Sequence, residues 1–216
     1  MPQAKKDGTM SFVNKAARAY DPDPAHNERV TTLALALFDG LRALHGFGPE
    51  ERRLLEISGR LHDIGWSRMV TGKHHKLSRD MIQELAIPGI DRRDRFLCAL
   101  VARYHTKALP DASRHRKFAS LDSRRRDLIE WLAGILRLAD ALDCTHANAV
   151  RELTCAVDDK SITLHLEVTG DFRMEVERAR QKQELLVRKA GREIVYRCQC
   201  RGRRKDFGEG AQRLLP

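Results

Sequence analysis

The stretch Gly59-Arg60-Leu61-His62-Asp63-Ile64-Gly65-Trp66 sets an imidazole beside a carboxylate where the helical pattern calls for core. Adjacent helical residues point about 100° apart, so the two side chains do not face each other, yet both can reach one object lying over that face. A divalent metal ion is the object that most rewards this pair. Further ligands come from the faces of other predicted helices. His26 lies four residues before Val30 and eleven before Leu37, on the apolar stripe of its helix. Asp140 follows Leu136 by four and Ile129 by eleven, and His105 follows Val101 by four. A buried carboxylate without a partner is expensive, and one shared cation would compensate Asp63 and Asp140 together.

His74 and His75, with His105, are placed to serve a second ion beside the first. The expected ligand set is therefore His26, His62, Asp63, His105 and Asp140 from four helices, with His74 and His75 just before the third helix, converging on one pocket. Imidazole and carboxylate together suit Mn, Fe, Co, Ni or Zn, with Mg also admitted, as one ion or two. Two ions clamp the attacking and leaving oxygens of phosphoester hydrolysis. Lys76, Arg103 and Lys107, neighbours of the histidines in sequence, are the candidates for holding substrate phosphates, alongside Asp63 in the catalytic set. Asp143, one turn past Asp140, either faces outward or bonds a ligand imidazole. His45, His115, His146 and His165 read as structural or surface residues.

The elements that must position these groups follow from periodicity and punctuation. Asp23 can cap and Pro24 can open a helix that ends near Gly46. A second runs from Pro49 to Gly65, a third from His74 to Ala86, a fourth from Asp91 to His105, and the most apolar from Arg125 to His146. Residues 106–123 read as loop. Two β-prone runs around Asp158-Asp159-Lys160 predict a hairpin, Arg173 to Ala190 returns to helix, and Arg192 to Cys200 reads as a strand. The expected fold is mainly α: a helical bundle over residues 1–147 and a small α+β appendage with a basic tail over 148–216. The appendage is placed either to cap the pocket or to form a homodimer contact.

Apolar residues at 42% and charged residues at 32% exclude a disordered chain. The net charge of +10 favours anionic partners: a phosphorylated small molecule, polyphosphate, or less readily nucleic acid, since the basic runs lack interleaved aromatics. No apolar run is long enough for a membrane span, and the basic start is not followed by an apolar export segment. Five cysteines form no framework, and Cys198-x-Cys200 lacks the second pair of a structural metal site. A cytoplasmic location is the expectation.

The order His26, His62-Asp63, Asp140 resembles the H…HD…D signature of HD-domain metal-dependent phosphohydrolases. Three longer stretches, "LHDIGWSRMVTGKHHKLSRDMI", "LVARYHTKALP" and "LAGILRLADALDCTH", resemble the C-terminal region of the exopolyphosphatase / guanosine pentaphosphate phosphohydrolase family. The resemblance implies a helical HD-type fold with a first metal on His26, His62, Asp63 and Asp140. It implies a second on His74 or His75 and His105, with Asp63 bridging. Leu77 stands where that family usually has another histidine. The family's polyphosphatase chemistry belongs to an N-terminal actin-like region, and no Gly-rich phosphate loop occurs here. The expected function is a stand-alone metal-dependent phosphohydrolase acting on a nucleotide or polyphosphate. The alternative is a non-catalytic module that binds polyphosphate or a guanine nucleotide.

Overall fold

The computed structural model describes residues 3–69 and 72–200. Its helices are α1 (Gln3–Tyr20), α2 (Pro24–Gly40), α3 (Arg42–His45), α4 (Pro49–Leu61), α5 (His74–Glu84), α6 (Arg92–Arg103), α7 (Arg116–Ala119) and α8 (Ser123–Ala141). Strands β1 (Val150–Val157) and β2 (Ser161–Val168) follow, then α9 (Arg173–Lys182), α10 (Glu184–Ala190) and β3 (Glu193–Cys200). The chain is mainly α with a small three-stranded α+β element at its C-terminal end, as expected. No helix among the described residues is long and apolar enough to cross a membrane. The "RGRRK" tail lies outside the described residues.

Local chemistry sets the helix starts. Asp23, Asp91 and Asp122 each accept a bond from the backbone N–H three residues on, which caps α2, α6 and α8. Gly48 N–H donates to Glu51 Oε2 at 2.9 Å at the start of α4. The apolar stripe expected on α2, with Val30, Leu33, Leu37 and Leu41, is buried against α4 and α8. Several boundaries differ from expectation: the first predicted helix breaks at Leu41 before α3, and the helix expected to reach His146 ends at Ala141. Helix α1 has no counterpart in the sequence reading, because only Val13, Ala16 and Ala17 mark its buried face. The segment read as loop carries the single turn α7. The helix read as one piece from Arg173 breaks at Gln183. Helix α4 ends at Leu61, not Gly65, and a 3₁₀ turn over Ile64–Arg68 takes its place.

β1 and β2 pair antiparallel, with Leu153 opposite Leu166 and Val157 opposite Ile162. β2 and β3 pair in parallel, Ile162 opposite Ile194 through Val168 opposite Cys200. A parallel pair cannot be joined by a tight turn, so α9 and α10 form the crossover. The apolar residues of this element belong to the same buried cluster as those of the helices. At Gly134 of α8 the backbone of α10 comes close, with Leu186 N 3.2 Å from where a Cβ would sit.

Gly65 holds the tightest approach. An added Cβ would collide with His74 O and with Ser78, whose Oγ would be 2.8 Å away. Glycine there lets the 3₁₀ turn lie on the first turn of α5, and Gly65 N–H donates to Ser78 Oγ at 2.9 Å. Gly65→Ala is expected to destabilise by about 1 to 3 kcal/mol in denaturant titration. Gly8→Ala in α1, with open space around it, should instead be neutral or stabilising.

Candidate metal centre

His62 and Asp63 lie just past the end of α4, so the 100° offset of helical neighbours does not apply. His62 keeps helical angles (φ −63°, ψ −29°), whereas Asp63 turns out of them (φ −110°, ψ 4°). Both side chains therefore meet one centre. His62 Nε2 lies 3.7 Å from Asp63 Oδ2 and 3.7 Å from Asp140 Oδ1. His26 Nε2 lies 3.5 Å from Asp140 Oδ1. His74 Nε2 and His105 Nε2 are each 3.4 Å from Asp63 Oδ1 and 3.2 Å from each other.

The outer nitrogens explain why the inner ones face inward. His62 Nδ1 is 2.7 Å from Gly59 O, and His105 Nδ1 is 2.6 Å from Ala102 O. Carbonyl oxygens only accept, so both rings carry their proton on Nδ1 and turn the Nε2 lone pair toward the carboxylates. His26 Nδ1 lies 2.8 Å from Asp143 Oδ2, and Asn148 N–H donates to Asp143 Oδ1 at 3.1 Å. Asp143 thus takes the inward of the two roles open to it in the sequence. It is the carboxylate that orients the His26 imidazole.

These residues fit a divalent cation. His62 Nε2 and Asp63 Oδ1 are buried without any hydrogen-bond partner, which is costly for lone pairs unless something accepts them. Two groups, His26–His62–Asp140 and His62–Asp63–His105, each bring one ligand atom per residue within 4.8 Å of one another. His74 adjoins the second group through Asp63 and His105.

Charge within the cluster is redistributed in the absence of a cation. Burial works against the His26 imidazolium, but Asp140 and Asp143 outweigh it and carry its pKa up to about 10. Burial alone would raise Asp140, yet its bonds to His26 and His62 hold its carboxyl well below the usual range. Asp63 is likewise lowered against burial by His62 and His105. His105 goes the other way, pulled by burial down to about 4.

Neighbouring contacts fix the ligands. Arg137 of α8, fully buried, donates to Tyr104 O at 3.2 Å, beside His105, and to Glu184 Oε1 at 2.8 Å. Trp66 stacks on His74 with ring centroids 4.4 Å apart and planes 11° from parallel. His146 stacks on His26 at 3.9 Å and lies 2.7 Å from Asp23 Oδ2, so the cap of α2 also steadies this wall.

The cluster floors a cleft of about 420 Å³. Of the seven ligands expected from sequence, the structure gathers six. His75 is buried, but its ring stands perpendicular to His74 and outside both groups. Burial, with Arg103 near, pushes its pKa down to about 3. The cations expected to hold phosphate are elsewhere. Lys76 is exposed, Arg103 is buried with its guanidinium 5.5 Å from the centre of the Tyr104 ring, and Lys107 Nζ reaches Gly72 O. None lines the cleft. Arg178 and Lys182 of α9 do, as does His146, and the sequence reading missed all three. The one available signal for the cations was their four-residue spacing beside the buried Ala179. A cavity of about 810 Å³ lies apart from this chemistry, along the 108–118 loop and α8.

The family model described as "Ppx/GppA phosphatase, domain III" matches residues 10–187, which include every member of the cluster. The chain is also similar to a guanosine-5'-triphosphate,3'-diphosphate pyrophosphatase of Vibrio vulnificus (strain YJ016), 26% identical over 151 residues. That alignment covers 68% of this chain and 29% of the relative, so the chain spans less than a third of the relative's length.

Two outcomes follow for metal titrations. Asp143→Ala frees the His26 ring and is expected to weaken divalent-metal affinity by about 10- to 100-fold, measured by competition with a chelating dye. Because the folded pKa of His26 lies above its ordinary value, its contribution to metal-free stability is full below about pH 6.5 and is lost as the pH rises toward 10. Against burial, Asp63 and Asp140 raise His62 as well, so metal loading at neutral pH should release protons, seen as a calorimetric enthalpy that varies with buffer ionisation.

Proposed function

The chain belongs to the Ppx/GppA phosphatase family, through the family's domain III, and from that premise we propose that it is an HD-type metal-dependent phosphohydrolase acting on a nucleotide or polyphosphate. The observation that carries this reading is the inward set of unpartnered lone pairs on His62 and Asp63, beside His26, His105 and Asp140. Residues 1–147 are taken as the metal-holding body and 148–216 as the appendage.

In this reading His26, His62, Asp63 and Asp140 hold a first ion, and His74 and His105 hold a second. A divalent cation so held supplies a lowered water pKa and charge neutralisation on phosphoryl oxygens. The chain's own residues do the rest. Asp63 directs Oδ2 toward His62 and Oδ1 toward His74 and His105, which suits a carboxylate shared between two ions. Asp143 and the carbonyls of Gly59 and Ala102 keep the three imidazoles in the tautomer that leaves Nε2 free. Trp66 and His146 close two sides of the cleft, and stacking holds them over ligand rings.

A second reading, a module that binds polyphosphate or a guanine nucleotide without turnover, draws on the net charge of +10. Part of that charge is internally satisfied. Arg125, in the "SRRRD" run, is paired with Asp122.

Elemental analysis of the purified protein beside Asp63→Ala tests the proposal. One or two equivalents of divalent metal, lost in the variant together with hydrolysis of nucleotide or polyphosphate, is the expected result. Undiminished metal content and turnover in Asp63→Ala would sink it. Full metal occupancy with no turnover, and a polyphosphate affinity falling steeply with salt, would favour the binding module.

A further inference from the structure

Helix α9 carries four basic residues, Arg173, Arg178, Arg180 and Lys182, and they divide by what they face. Arg173 is paired with Asp171, and Arg180 lies 5.8 Å from the Tyr196 ring centre. Arg178 and Lys182 line the His/Asp cleft instead, one helical turn apart. Among the described residues, neither has a carboxylate oxygen within 4 Å. Arg178 meets only neutral partners, donating to Gln181 Oε1 at 3.2 Å and bonding the Cys144 side chain.

Both stand at the edge of the cleft, set together on one face of α9. They repel each other, and the buried Arg137 adds a third charge from behind. The C-terminal end of a helix does favour a cation, which accounts for a charge at Lys182 but not for its facing the cleft. Burial and the positive charges of Arg137 and Arg178 make the Lys182 ammonium harder to keep, while Asp140 opposes them. An arrangement unfavourable in the empty cleft becomes favourable when a dianion enters it.

We infer that Arg178 and Lys182 form the phosphate-holding side of the cleft, gripping a phosphoryl group presented to the His/Asp cluster. Guanidinium and ammonium donors bind phosphoryl oxygens through charge-assisted hydrogen bonds, and the guanidinium can do so with two parallel bonds. The C-terminal element thereby becomes part of the site. It supplies the grip, while the helical body supplies the ligands. The inference takes its substrate from the hydrolase reading above, but the binding it asserts is independent of turnover.

The test uses the full chain and inorganic pyrophosphate as probe, with affinity measured calorimetrically before and after loading with Mn²⁺. Arg178 is exposed and Lys182 half-buried, so Arg178→Ala and Lys182→Ala leave the core intact. Lys160→Ala, in the exposed hairpin turn, controls for the loss of one positive charge. Each cleft variant is expected to weaken pyrophosphate binding by about 10- to 100-fold, with Mn²⁺ content unchanged. Lys160→Ala should bind as the wild type does, and Lys182→Arg should recover most of the affinity. Where turnover is present, KM should rise more than kcat falls. Equal pyrophosphate affinity in the double variant and the wild type overturns the inference, as does a wild type that binds no pyrophosphate in either metal state. A protein that takes up no metal, yet loses pyrophosphate binding in both variants, would end the hydrolase reading and leave this one standing.

Discussion

Two carboxylates, Asp63 and Asp140, face each other's neighbourhood across a pocket walled by imidazoles, and most of the architecture around them answers to the cost of that placement. Removing a carboxylate from water is unfavourable by several kcal/mol even after relaxation. Without a cation, a proton held on His26 offsets part of that cost. With one, the same lone pairs become ligands. His26 is thus a charge carrier without a cation and, on the reading proposed above, a donor with one, and the ring bonds to Asp143, Gly59 and Ala102 keep His26, His62 and His105 aimed inward.

Rigidity around the cluster comes from a few contacts between distant parts of the chain. Arg137 ties α8 to the end of α6 and to α10, so the helix bearing Asp140 and the turn bearing His105 are fixed relative to each other. Gly65 and Ser78 set the 3₁₀ turn against α5, which fixes Asp63 relative to His74. Asp23 caps α2 just before His26 and also meets His146. None of these groups touches the centre of the cluster, yet each sets where a ligand atom stands.

How much of this was legible in the sequence depended on whether a residue sat on a regular element. His26 and Asp140 lie on long helices, so counting from Val30 and Leu136 placed them on buried faces. His62 and Asp63 were found by adjacency, but for an incomplete reason: the helix stops at Leu61, and the change of direction brings both inward. His75 shows the limit of counting. It is more deeply buried than its neighbour His74, yet His74 is the ring that reaches Asp63, and periodicity alone cannot say which of two adjacent rings meets a given centre. Helix α1 was invisible because its apolar residues are few and only Val13, Ala16 and Ala17 are buried, with Met10 and Phe12 partly so. The cations were misassigned because Lys76, Arg103 and Lys107 are close to ligands along the chain, whereas Arg178 and Lys182 are close in space. Only tertiary packing brings α9 to the cleft. The family's domain III covers the ligands and α9 alike, and ends at residue 187, short of β3.

The parallel pairing of β2 with β3 has a consequence for the order of assembly. Every residue of the cluster lies at or before Asp140, on α2, α5 and α8 or just past the ends of α4 and α6. Helix α9, by contrast, is half of a crossover, and a crossover is anchored at both ends only when its second strand has found its place beside the first. Non-local pairing of that kind forms slowly compared with helix packing. During synthesis the His/Asp floor of the cleft can therefore close before its far wall exists. On the reading proposed above, a nascent chain would hold an ion some time before it could grip an anion.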